Sequence, residues 1–228
     1  MNIRILALAA AALGAVPAQA TTLVAGSNTL GGTTVAAEPN LAGTVQEDSL
    51  DDFTITGNSG TLTATVQSRV VLSVDGTYDF YWRIRDITFA PSGAGGDPLT
   101  IGALRIGEFG TSVLGYNANF RTDGLGDRGP GNAFVFPDTS YVNFAFDAGL
   151  AAGEESYFIF LDTDARTYSR RALLDLATPA YNPISGLGTT FGPGSVPEPA
   201  TWALMILGFG GVAGAMRRRR ATPSVAFA

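Results

Sequence analysis

The chain has 228 residues, with no cysteine and no histidine, and all fourteen of its basic residues are arginine. Each absence removes chemistry. Without cysteine no disulfide braces the fold, even in a compartment that would permit one. Zinc sites built from His and Cys are excluded. So are Ser-His-Asp and Cys-His catalytic arrangements, and without lysine there is no Schiff base. Any catalysis would rest on Asp, Glu, Tyr, Ser or Arg. Long amphipathic helical stretches are absent too. What is present is glycine, threonine and aromatic residues between two unusual ends.

At the N-terminus, Met1-Asn2-Ile3-Arg4 is a short positive start, residues 5–16 are apolar, and Ala18-Gln19-Ala20 gives the small-residue pattern that signal peptidase accepts. This predicts a signal peptide over residues 1–20, cleaved after Ala20 to leave Thr21 first. At the C-terminus, Pro197-Glu198-Pro199 is followed by Trp202-Ala203, an uncharged run to Met216, and Arg217, Arg218, Arg219 and Arg220. The run from Trp202 to Met216 would span about 22 Å as a helix, short against a bilayer core of about 30 Å. Trp202 suits one interface, and arginine side chains can snorkel toward the other. By the positive-inside rule the four arginines stay cytoplasmic and the body lies across the membrane. Gly210 and Gly214 form a Gly-x-x-x-Gly pair, a packing motif that is weak on its own.

Pro197-Glu198-Pro199, the spaced Trp202-Ala203, the apolar run and the arginine block together resemble the PEP-CTERM sorting domain in its PEPxxWA form. The match spans residues 196–220, and a tail of residues 221–228 runs on beyond it. The resemblance implies a Gram-negative bacterial protein that is a substrate of exosortase, a membrane transpeptidase-like protease. It implies an anchor in the inner membrane before processing and cleavage near the Pro-Glu-Pro motif.

Between the ends, nine arginines face nineteen acids, a formal charge of −10 against −6 for the whole chain. Such a surface repels nucleic acid and anionic phospholipid, and tolerates divalent cations and neutral or cationic polysaccharide. The length from residue 21 suits one domain. Residues 61–66 alternate as a strand does. In residues 77–89, Tyr78, Phe80, Trp82 and Ile84 take one face and Asp79, Tyr81, Arg83 and Arg85 the other, the pattern of a half-buried antiparallel strand. Asp75-Gly76 before it predicts a hairpin turn. Further strands are predicted over residues 99–109, 117–122, 133–136, 141–146 and 156–161. The last is apolar on both faces, so it should lie centrally between covering layers. Residues 170–177 read as a short helix or an edge strand. Loops rich in Gly, Pro and Asp cover 91–98, 123–132 and 149–154, and residues 178–195 read as a linker. The expected fold is all-β, an antiparallel β-sandwich or jelly-roll ectodomain over residues 21–177. Phe158-Ile159-Phe160-Leu161-Asp162-Thr163-Asp164 with Tyr168 also resembles ectodomains found upstream of PEP-CTERM tails, which bring no defined activity.

Candidate sites in the body are few. Asp162 and Asp164 place oxygens on one side of a turn, as calcium loops do, and the loop over residues 123–132 is rich in oxygen. Against this, acids commonly end strands and cap turns. Asp51-Asp52 and Glu154-Glu155 are carboxylate pairs, but neighbours on a strand point to opposite faces. That geometry does not bring two carboxyls across a cleft, as glycoside hydrolysis needs. Tyr81, Arg83 and Arg85 share one strand face and could meet a sugar ring or a carboxylated polymer; otherwise a second layer or a loop covers them, or they pair with Asp on a neighbouring strand. The expectation is no catalytic residue, no metal residue and no cofactor, with Ca2+ the one ion the acidic loops would suit. From the resemblance follows an exported, non-enzymatic structural or adhesive component of exopolysaccharide or biofilm at the cell surface or in the matrix. Its partners would be exosortase, signal peptidase, the membrane through the C-terminal helix, and extracellular polysaccharide, with no nucleic acid. The alternatives are a carbohydrate-binding module and a carboxylate-based surface hydrolase.

Overall fold

The computed structural model describes residues 19–93, 95–137, 140–194 and 199–219. Most of the predicted signal peptide, Ala18 included, lies outside the described residues, as do Pro197, Glu198, Arg220 and the final tail. The chain divides into two units, residues 1–194 and 195–228.

The first unit is a sandwich of two six-stranded antiparallel sheets. Its strands are β1 (Thr21–Thr22), β2 (Gly26–Thr29), β3 (Gly43–Gly57), β4 (Gly60–Ser73), β5 (Tyr78–Pro91), β6 (Ile101–Gly107), β7 (Asn117–Arg121), β8 (Asn132–Val135), β9 (Val142–Leu150), β10 (Phe158–Ala165), β11 (Tyr168–Ala177) and β12 (Gly188–Pro193). The first sheet runs β1-β7-β10-β5-β4-β3, the second β12-β11-β6-β9-β8-β2.

The alternation in β5 decides the layering. Phe80, Trp82 and Ile84 point into the space between the sheets and are buried completely or nearly so. They meet Leu104 and Ile106 of β6, Phe144 of β9, Leu174 and Leu176 of β11 and Phe191 of β12. Trp82 also donates its indole N–H across the core to Thr190 of β12 at 2.7 Å, and Thr190 donates on to Ser68 of β4 at 3.0 Å. A buried indole N–H needs such a partner. The turn before β5 forms as expected. Gly76 has φ +83°, which a side chain resists, and Asp75 accepts from both the amide and the hydroxyl of Thr77.

β10 lies between β7 and β5, as its two apolar faces predict. Ile159 and Leu161 face the main core. Phe160 faces outward, into a second cluster with Leu41, Val71 and Tyr81. The cover is the crossing segment before β3, which ends in a 3-10 turn at Pro39–Leu41.

Two expectations change. Residues 170–177 are neither helix nor edge: β11 lies between β12 and β6. The segment 178–195 was expected to be a linker, yet it supplies β12, whose Thr190 and Phe191 are buried. Its small residues alternate too little to signal a strand, and the pairing with β11 makes it one. β3 escapes notice for a related reason. It is a sheet edge, and its first half, residues 43–49, is exposed and partly acidic, which blunts edge-to-edge association.

In the second unit, helix α1 runs Pro199–Arg219, so Pro199 opens the helix, where its missing N–H costs nothing. Trp202, Ala203, Arg218 and Arg219 lie within it. Leu204, Ile206, Leu207 and Phe209 are exposed. Among the described residues no helix is long and apolar enough to cross a membrane.

Candidate functional site

The outer face of the first sheet carries the residues singled out in β5. Pairing across strands sets them in rows. Val71 stands opposite Asp79, and Asp162 opposite Asn117. Two residues along, Arg69 pairs with Tyr81, Tyr81 with Phe160, and Phe160 with Asn119. Next, Arg121 pairs with Phe158.

Tyr81 is not a free platform. It is 3% exposed beneath Leu41 and tilts against Phe160 with ring centroids 5.4 Å apart, a spacing usual for packed aromatics. Burial pushes its phenol well up, Asp79 adds to the shift and Arg121 opposes it. Arg83 ion-pairs with Glu155 and lies over the Phe158 ring at 5.9 Å. Arg85 pairs with Asp86. Tyr81 is thus covered, whereas Arg83 and Arg85 are paired, with a loop glutamate and with the next residue of β5 rather than with an Asp on a neighbouring strand. A cleft of about 490 Å³ remains beside them, lined by Val35, Leu41, Val71, Tyr81, Arg69 and Arg121. Its arginines are held by Asp48 and Asp123.

Asp162 and Asp164 open onto a polar cleft of about 540 Å³ with Asn40, Asp75 and Asn117. Asp162 accepts from Asn40 at 3.1 Å and Asn117 at 3.3 Å. Behind it Asp79 is 1% exposed. One carboxyl oxygen of Asp79 accepts from the Thr163 amide at 3.2 Å, and the other has no hydrogen-bond partner among the described residues. Burial, with Asp162 next, pushes the Asp79 carboxyl up to about 8. Burial also raises Asp162, against the donations it receives. Among the described residues no three His, Cys, Asp or Glu side chains are grouped to hold a metal.

The other acidic candidates are engaged by their own chain. Asp51 accepts a bidentate contact from Arg170, and Asp52 accepts from Thr65. Glu154 pairs with Arg128. The loop 123–132 is tied down by the Arg121–Asp123 pair, by the Glu155 amide donating to Asp127, and by Arg128 donating to the Gly149 carbonyl at 3.1 Å.

The outer face of the second sheet went unread in the sequence. There a groove of about 530 Å³ crosses β9, β6 and β11, a volume ordinary for a ligand site. Its walls are Tyr141, Phe136 and Leu187, exposed at 42, 43 and 71%. Its floor holds Asn143 and a bidentate ion pair, with Arg105 Nε and Nη2 donating to Asp175, each at 2.5 Å. The hydrogen bonds to Asp175 hold the Arg105 guanidinium above its usual pKa against the effect of burial. The Tyr141 ring lies against Gly107, where an added Cβ would come within 2.2 Å of a ring carbon. The signal was available as three exposed aromatics, Phe134 in β8, Phe136 just after it and Tyr141 just before β9, but each looks like an ordinary strand residue in the sequence.

In the second unit, Pro199, Trp202, Ala203 and Arg217 to Arg219 fall on one helix, with Arg217 exposed near its end. The order of motif, helix and arginines is the one the sequence predicts. Residues 195–220 match the family model of the PEP-CTERM protein-sorting motif. The PEP-CTERM motif marks an exported protein that is held at the membrane before an exosortase processes it. No curated protein and no solved structure matches the chain. The PEP-CTERM match covers the second unit and leaves the sandwich to be read from its own surface.

Proposed function

We propose that this is a non-enzymatic protein of the cell surface or extracellular matrix, released to its place by exosortase processing after a signal peptidase has removed residues 1–20. There the sandwich serves as a structural or adhesive component of exopolysaccharide or biofilm. The observation that carries this reading is the PEP-CTERM motif at residues 195–220. The acidic, disulfide-free sandwich fits the role. Asp48, Asp51, Asp123, Glu154, Glu155 and Asp175 are each held by an arginine, which favours a binding protein over a hydrolase that works through any of these carboxylates.

The intact mass and C-terminal peptide of the protein from its own cells test the reading. A mature form starting at Thr21 and ending near Pro197-Glu198-Pro199 is the expected result, and replacing all three of those residues by alanine should leave the full C-terminus in place. A wild-type chain still ending at Ala228 would remove the matrix role. A second reading, a carbohydrate-binding module, is favoured by one observation, the aromatic-walled groove on the second sheet.

A further inference from the structure

We infer that the groove on the outer face of the second sheet is a binding site for a neutral polysaccharide, with Tyr141 as its stacking residue and the Arg105–Asp175 pair with Asn143 as its hydroxyl-binding floor. The inference deepens the surface-polysaccharide role and rests on it.

The argument begins with the mixture of surfaces. A pyranose ring has an apolar C–H face and a rim of hydroxyl groups. Tyr141 and Phe136 offer aromatic faces and Leu187 an aliphatic edge. Between them the floor is polar yet balanced in charge, because Arg105 is paired with Asp175. Arg105 keeps N–H groups beyond the two it donates to Asp175, and each carboxylate oxygen keeps a lone pair. An uncharged chain of hydroxyls can use these donors and acceptors without leaving an ion uncompensated. An anionic polymer would meet Asp175 and Glu108 in the groove, on a body already carrying −10. A purely apolar partner would strip water from the ion pair and give nothing back.

Two further observations point to the same place. Among the described residues, three that are not glycine have positive φ: Asp86, Glu108 and Tyr181. Glu108 lines the groove, and Tyr181 is close enough to Arg105 to raise its pKa. A tyrosine at φ +56° is a costly conformation, and such strain gathers at ligand sites. The second is the seat of Tyr141. Its ring packs closely against Gly107, a position with no side chain to push it away, so the backbone helps to fix where the ring sits. Stacking residues bind well when they are held in place before the ligand arrives.

The test is affinity electrophoresis of the folded exported protein in gels containing dextran, laminarin, galactomannan or xyloglucan, with alginate as the anionic comparison. At least one neutral polymer should retard the wild type and alginate should not. Tyr141→Ala should weaken that retardation about tenfold, the equivalent of 1.4 kcal/mol. Gly107→Ala, which keeps every ligand-facing side chain and displaces the Tyr141 ring, should weaken it too. Near-UV circular dichroism shows that each variant is folded. No retardation in any neutral gel overturns the inference, as does retardation unchanged by both substitutions or equal retardation in alginate. A groove that instead pairs two copies would show as a dimer of the wild type lost in Tyr141→Ala, and that result also overturns it. C-terminal processing is read separately by mass, so failure here leaves the sorting reading standing.

Discussion

Asp79→Asn should make the sandwich more stable at pH 8 and change it little at pH 4. Asp79 is buried behind Asp162 with one oxygen unpartnered, and its carboxyl is pushed up to about 8. The unfolded chain releases this proton near 3.8, the ordinary value for an aspartate. Between those values the folded state holds a proton that the unfolded state does not. Stability from this group is therefore full below pH 3.8 and falls as pH rises toward 8, by up to about 1.4 kcal/mol per unit. The groups that face it act in known directions. Asp162 raises it and is itself raised, so a shallower slope of the same sign should survive the substitution. The Thr163 amide lowers it, and Asp75 adds to the rise. Asp75 itself is held below the usual carboxylate range by Thr77, so its contribution is lost only as pH falls below 3.8, outside the window. Asparagine keeps the shape, carries no charge and can donate to Asp162. Denaturant midpoints for both proteins at pH 4, 6 and 8 decide the matter. The profiles should converge at pH 4 and separate at pH 8 with the variant above. Parallel profiles would mean that Asp79 is ionised in the fold and compensated by something else.

How far the sequence could be read depended on what each residue alternates against. β5 and β10 were legible because each carries a distinct pattern over several residues: aromatic in and polar out for β5, apolar both ways for β10. Those two strands imply two layers and a cover, and both are found. β3 was not legible because its exposed half buries nothing, and its strand character comes from pairing with β4. β12 was lost for the opposite reason. Gly188, Thr189, Thr190, Phe191, Gly192 and Pro193 read as a linker because small residues suit linkers, yet Thr190 is there to receive the Trp82 indole. At the sites, sequence found the sorting motif completely, since its parts lie within one short stretch. It could name Tyr81, Arg83 and Arg85 as sharing a face, but could not see that Leu41, forty residues earlier, lies on top of Tyr81. The groove on the second sheet is assembled from β6, β9, β11, Phe136 and Tyr141 between β8 and β9, and the loop before β12, and no window of sequence holds it together.

A chain ending at Gly194 should fold, and one ending at Ala177 should not. Cutting after Ala177 removes β12 and does three kinds of damage. It takes Phe191 out of the core, where it is 1% exposed. Burying a side chain of that kind contributes about 1.5–3 kcal/mol. It leaves the indole N–H of Trp82 without an acceptor in a site that excludes water, at a cost of about 1–3 kcal/mol. It also strips β11 of its partner, so that Tyr168–Ala177 becomes an open edge beside Leu174 and Leu176. Against a usual total of about 5–15 kcal/mol these losses are enough to unfold the domain. Thr190→Val in the Gly194-ended chain isolates the second effect. It keeps β12 and the side-chain volume but removes the acceptor, so it should cost about 1–3 kcal/mol while leaving a cooperative transition. Trp82 is the only tryptophan left once Trp202 is removed, and its fluorescence reports the core directly. The Gly194-ended chain should show one transition with buried, blue-shifted emission, and the Ala177-ended chain solvent-exposed emission before any denaturant is added. A native spectrum from the shorter chain would return residues 178–194 to the status of a linker, because the sandwich would then close without them.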